Sequence, residues 1–192
     1  SACYSTGDIR GRIIVGGLVG HNAGRYKAEY NNDPEKIINC YSTANIFCQW
    51  QWECCGGLVG SNGGTIINCY STGRVSEAGF RLGGLVGHGG GVVNSFWDIE
   101  TSGQSQSYGG KGKTTAEMKM ASTYYGWGGC GNQGVWTIDE GSDYPRLAWE
   151  GTPGQPISQQ QLSDSLTGSG TETDPYLIST AQELNAIGLF PC

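Results

Sequence analysis

The amino-acid sequence predicts an all-β chain wound as a parallel β-solenoid, and two observations carry that expectation. One short word, GGLVG, is written three times, and a second word recurs in step with it. In addition, 34 of the 192 residues are glycine, a strong excess that implies many tight corners in a chain with no helical period in its first half.

The first word occupies Gly16 to Gly20, Gly56 to Gly60 and Gly83 to Gly87. The second reads ACYSTGDI from Ala2, NCYSTANI from Asn39, NCYSTGRV from Asn68, and in a degenerate form NSFWDIE from Asn94. Cys3 to Gly16 is 13 residues, and so is Gly56 to Cys69, which makes the repeating unit about 27 residues. One such unit cannot bury its own apolar side chains, whereas stacked copies can. Each copy is therefore expected to be one coil, advancing by about 4.8 Å, the spacing of hydrogen-bonded strands. Equivalent side chains would pile into columns. Leu18, Leu58 and Leu85 form an expected interior ladder with Ile38 and Ile67 beside them. Cys3, Cys40 and Cys69 form a second ladder, read as a buried column of small thiols. The alternative, a disulfide between neighbouring coils, is permitted by strand spacing and opposed by the parallel side-chain orientation.

The pattern GGLVGSNGGTIINCYSTGRV resembles the GLUG repeat, and the resemblance covers about Ser1 to Glu100. GLUG repeats occur in bacterial secreted and surface proteins, including adhesins. The resemblance implies a right-handed β-helix outside the cell, at a bacterial cell surface, and it implies no catalytic residue.

The middle copy is longer than its neighbours, with extra residues between Gly24 and Ile37 and between Ile46 and Gly56. Insertions at such places read as loops on a common scaffold. The second insertion contains IFCQWQWECC. Trp50 and Trp52 alternate there on one strand face and are candidates for glycan or host-surface contact. The chain holds eight cysteines, which fits an oxidising compartment, and their spacing is poor for zinc. The first-ranked disulfide joins Cys48 to Cys54 or Cys55, and the second joins Cys130 to Cys192.

Residues 1–95 are thus expected to be solenoid and 96–150 an aromatic-rich cap. Thr114 and Glu117 form a capping box that predicts a short helix from Thr115 to about Ala121. Trp97, Trp127, Trp136 and Trp149 are expected to plug the open end of the core, with a sugar-stacking platform as the alternative. The run Tyr144 to Trp149 also resembles the segment that closes GLUG arrays. Asp139, Glu140 and Asp143 read as a solvated turn, since they lack the alternating ligands of a calcium loop. Residues 151–164 have the composition of a linker. Residues 165–192 predict a strand at Tyr176 to Ser179 and a helix near Ala181 to Ile187, behind a second capping box at Thr180. This stretch resembles the opening of a further GLUG module, or a segment that docks on another subunit. Both ends of the sequence are expected to be unfinished.

A net charge of −6, with 11 Lys and Arg scattered singly, argues against nucleic acid. No apolar run approaches 18 residues, so no membrane span or leader is expected within the sequence. Two histidines, His21 and His88, both beside glycine turns, give no basis for a nucleophile–base pair, and the repeat words carry few carboxylates. A corner role is expected for both histidines. No catalytic residue, metal or cofactor is expected. The expected function is structural: an extracellular solenoid that self-associates head to tail into a fibre or stalk, or joins neighbouring modules. A glycan is the alternative partner and a polysaccharide-acting enzyme the remote one.

Overall fold

The glycine-punctuated words become strands of two to four residues, because each apolar run is too short for a helix and is bounded by corner residues. The computed structural model describes residues 1–24, 35–49, 54–76, 81–128 and 134–157, with Thr171, Thr173, Pro175 and Leu177 beyond them. The chain is mostly β and falls into two compact units, Ser1–Glu117 and Met118–Cys192.

In the first unit, strands from successive copies pair in parallel, like residue on like residue. One sheet contains Tyr4–Ser5, Tyr41–Ser42, Tyr70–Ser71, Phe96–Asp98 and Lys111–Lys113. Three further sheets each take one strand from three copies. They are Ile14–Gly16 with Cys54–Gly56 and Arg81–Gly83, Val19–Asn22 with Val59–Asn62 and Val86–Gly89, and Lys36–Ile38 with Thr65–Ile67 and Val92–Val93. Asp8–Gly11 pairs with Asn45–Cys48 in the same sense.

The register stacks the leucines. Leu18 donates its amide to Leu58 oxygen at 2.9 Å, and Leu58 donates to Leu85 oxygen at 2.9 Å. Leu58 and Leu85 are fully buried and Leu18 is half-buried, in a cluster with Ile37, Ile66, Val59, Val86 and Trp97. The inward isoleucines are therefore Ile37 and Ile66, not Ile38 and Ile67 as expected from the sequence. Side chains alternate along a strand, so a phase error of one residue exchanges the faces. A second cluster gathers Val15, Ala44, Ile46, Cys48, Cys55 and Val75.

The residue before each column cysteine has a left-handed backbone: Asn39 at φ 54°, Asn68 at 52°, Asn94 at 45°, and Ala2 at 53°. Asparagine is among the few non-glycine residues that tolerate this region, which explains its place in the repeated word. Close packing of copies also fixes Gly57, where a Cβ would overlap the carbonyl oxygen of Gly84.

The parallel ladder runs on past Ser95, the expected limit of the repeats. Phe96 and Trp97 extend the tyrosine and serine columns, and Lys111–Lys113 adds a fifth rung. Asp98 caps a one-turn helix, Ile99–Ser102, accepting from the amides of Glu100 at 2.8 Å and Thr101 at 3.0 Å. The chain then lies along the last GGLVG copy. Gly84 donates to Gln106 oxygen at 3.0 Å and Tyr108 donates to Val86 oxygen at 3.1 Å.

The predicted capping box is formed: Thr114 amide donates to Glu117 Oε2 at 2.9 Å, and Glu117 amide to Thr114 Oγ1 at 3.2 Å. Its helix stops at Met118, short of the expected Ala121. Lys119 oxygen accepts instead from Gly141 amide at 2.8 Å, and Ala121 amide donates to Glu140 Oε1 at 3.0 Å. With those groups diverted, the chain restarts as a 3-10 turn at Ala121–Tyr124.

The second unit is built differently. Trp127 and Trp136 are fully buried, with their ring centroids 4.7 Å apart, and Tyr124 lies 4.7 Å from Trp127. Trp136–Ile138 is the centre of an antiparallel sheet flanked by Arg146–Leu147 and Gln155–Pro156. Gln155–Pro156 and the buried Ile157 belong to the expected linker, so that stretch is folded at its start. The predicted strand near Tyr176, the helix near Ala181 and the residues Cys130 and Cys192 lie outside the described residues, apart from Leu177.

Candidate functional site

The chemistry-bearing feature with the clearest geometry is the cysteine column. Tyr4, Tyr41 and Tyr70 pair across the sheet and stack with centroids 5.0 Å apart, so Cys3, Cys40 and Cys69, one residue earlier, stand at one position on three rungs. None of the three is in a disulfide; Cys3 is exposed and the other two are buried. Each thiol takes the same pose, donating to the carbonyl two residues earlier: Ser1 at 3.2 Å, Ile38 at 3.2 Å and Ile67 at 3.1 Å. The sulfur of Cys69 also accepts from Cys40 amide at 3.4 Å.

Two opposite effects split the buried pair. A hydrogen bond from Cys69 is the main cause that lowers the Cys40 pKa from 9.0 to about 6, with a smaller contribution from the thiol of Cys3. Burial pushes Cys69 well above the ordinary thiol range, so it remains the S–H donor. In the fourth copy Ser95 replaces cysteine and copies the pose, donating to Val93 oxygen at 2.7 Å and accepting from Cys69 amide at 3.0 Å.

Cys48 is bonded to Cys55, with Cα atoms 6.5 Å apart. Strand alternation decides between the two partners the sequence offered. Cys55 is aligned with Val15 and Leu82 and faces the second cluster, whereas Cys54 is aligned with Ile14 and Arg81 and is a free thiol. The bond closes the base of the second insertion. Trp50 and Trp52, on that insertion, lie outside the described residues, as do the first insertion's residues 25–34.

Other sequence candidates separate in space. His21, Ser61 and His88 share one position, but within strands and not at corners; the ring of His88 lies 5.4 Å from that of Tyr108. Asp8, expected in a turn, is in a strand and accepts from Asn45 Nδ2 at 3.0 Å. Asp98 is fully buried and also accepts from Thr115 Oγ1 at 2.7 Å, a holding role. Glu140 accepts from a backbone amide, and Asp143 pairs with Arg146 at 3.1 Å. Of the four expected core-plugging tryptophans, Trp97 is in the first unit's cluster and Trp127 and Trp136 are in the second unit's core. Trp149 is 62% exposed.

Sequence reasoning missed the asparagines. Asn94 Nδ2 donates to Asn68 Oδ1 at 3.1 Å, and Asn22 Nδ2 to Asn62 Oδ1 at 2.7 Å, giving two amide ladders. The signal was present as Asn before Cys in NCYST and before Ser in NSFWDIE.

The model of the GLUG motif matches residues 53–76, the stretch that holds the middle GGLVG and NCYST words. The chain carries the GLUG motif. It is also 33% identical over 125 residues to a protein of Evansella cellulosilytica described as a Gly-rich membrane protein. That match covers 60% of this chain and 14% of the relative, so the GLUG chain corresponds to a small part of it. No solved structure matches the chain. Among the described residues no helix is long and apolar enough to cross a membrane, and no three His, Cys, Asp or Glu side chains gather as metal ligands.

Proposed function

We propose that the chain is a structural module: a right-handed parallel β-solenoid outside a bacterial cell, serving as part of a surface fibre or adhesin stalk. The observation that carries the reading is the like-on-like register, Tyr4 on Tyr41 on Tyr70 and Gly16 on Gly56 on Gly83. A parallel stack of this kind propagates through nearest-neighbour contacts and suits a protein whose task is length and stiffness. The Cys48–Cys55 bond supports an oxidising location, and the descriptive name of the Evansella relative supports a place at a membrane or surface. The reading assigns the chain no reaction. Self-association in it runs head to tail, rung on rung.

Electron microscopy of the purified chain at high concentration tests this. Filaments, or rods whose length grows with the number of copies expressed, are the expected result. A compact particle that stays monomeric at every concentration overturns the fibre reading.

A further inference from the structure

The cysteine column has a polarity that a passive stack of thiols would not need. Its exposed end is Cys3, and its next rung, Cys40, is buried directly behind, with the thiol of Cys3 in hydrogen-bonding reach of the Cys40 sulfur. Tyr41 amide donates to Cys3 oxygen at 3.1 Å, so the two backbones are hydrogen-bonded neighbours at the strand spacing of about 4.8 Å, inside the Cα range a disulfide spans. Cys69 closes the inner end. It is buried and protonated and donates toward Cys40.

We propose that Cys3 and Cys40 form a thiol–disulfide exchange site in which a low-molecular-weight disulfide oxidises the column and staples the first copy of the repeat to the second. Cys3 is the entry thiol and Cys40 the resolving thiol. In the first step the sulfur of Cys3 attacks one sulfur of the small disulfide RSSR. A Cys3–S–S–R bond forms, the RS–SR bond breaks, and one RS⁻ leaves and takes the proton that Cys3 gave up. In the second step the sulfur of Cys40 attacks the Cys3 sulfur of that mixed disulfide. The Cys3–Cys40 bond forms, the bond to R breaks, and the second RS⁻ leaves with the proton of Cys40. Two protein thiols are oxidised by two electrons, and one small disulfide is reduced to two thiols.

The split within the buried pair supports this division of labour. Cys69, as donor, holds Cys40 near the thiolate form that resolves a mixed disulfide, and its own protonated sulfur does not compete. The shared pose of the three thiols leaves one rotation about Cα–Cβ as the movement needed before the bond closes. Cys54 supplies an internal contrast. It is a free, half-buried thiol aligned with Ile14 and Arg81, with no cysteine beside it in its column.

The test is exposure of the intact, folded chain to oxidised glutathione, followed by non-reducing peptide mapping. The expected product links the peptides of Cys3 and Cys40, with two hydrogens lost and no glutathione retained at Cys3, while any glutathione on Cys54 remains. Cys40→Ser is the decisive variant, and Ser95 already fills the equivalent place in the fourth copy with the same hydrogen bonds, so the variant keeps the stack. It is expected to accumulate the mixed disulfide at Cys3. Cys69→Ser is expected to form the Cys3–Cys40 bond at least several-fold more slowly. Retention of glutathione at Cys3 in the unaltered chain to the level seen in Cys40→Ser overturns the proposal. An unreacted Cys3, or a bond from Cys40 to any other cysteine, does so as well.

Discussion

The two units solve the same problem, burying enough apolar surface, by opposite means. Ser1–Glu117 repeats one small contact along a column, so that Leu58 meets a leucine from each neighbouring copy and Tyr41 meets two tyrosines. Within Met118–Cys192 the described residues gather three large rings once, Tyr124, Trp127 and Trp136, beside a short antiparallel sheet. A repeated contact spreads stability over many rungs, each of which is replaceable by a neighbour. A single aromatic centre concentrates it, and its loss has no neighbour to absorb it.

The largest expected effect breaks that contrast at its sharper end. Trp136→Ala removes a fully buried indole and is expected to cost the second unit about 3–5 kcal/mol. Hydrogen exchange resolved by segment should show amides around Trp136–Ile138 and Arg146–Leu147 losing protection while those of Val59–Asn62 keep theirs. Equal loss in both units would mean that they do not fold as separate compact bodies. Next in size are the leucines of the ladder. Leu58→Ala, in the middle of the stack, is expected to cost about 2–5 kcal/mol, and Leu18→Ala, half-buried, roughly half of that or less. Denaturant midpoints of the two variants measure this, and equal shifts would refute the gradient of burial along the column.

The smallest effect lies at the boundary. Lys113 Nζ donates to Glu117 Oε1 at 2.9 Å and, with the Thr114 amide, lowers the Glu117 pKa from 4.5 to about 2. A depressed carboxyl pKa contributes stability above its unfolded value and loses it as pH falls through the folded one, so this contribution is full above about pH 4.5 and gone near pH 2. Its size is small, since the side chain is 48% exposed and the ion pair is screened by water. Carbon NMR of the Glu117 carboxyl should give a midpoint near 2 that moves up in Lys113→Ala. A wild-type midpoint near 4.5 would mean that the capping box does not persist in solution.

The stacking of Leu18, Leu58 and Leu85, and of Cys3, Cys40 and Cys69, was legible because a repeat places equal residues at equal heights before any coordinate is known. The isoleucines were not, since Ile37 and Ile38 are alike in chemistry and only the backbone path, turned by the left-handed Asn39, decides which one faces inward. Cys54 and Cys55 posed the same problem, and strand alternation settled it in favour of Cys55. The helix end at Met118 was hidden because the groups that stop it, Gly141 amide and the Glu140 carboxylate, come from more than 18 residues away. Trp97 and Trp136 look equivalent as letters, yet they serve different cores.

By itself the sequence determined that this chain is β, repetitive and columnar, because period and corner residues are local properties that any reader of the chain can count. Tertiary structure alone decided which face of each strand is wet, which thiols are bonded, and that Cys40 sits between an exposed donor and a buried one. Those outcomes depend on neighbours some 30 residues away, whose approach is set by packing and hydrogen bonding across copies and not by any preference of the residues themselves.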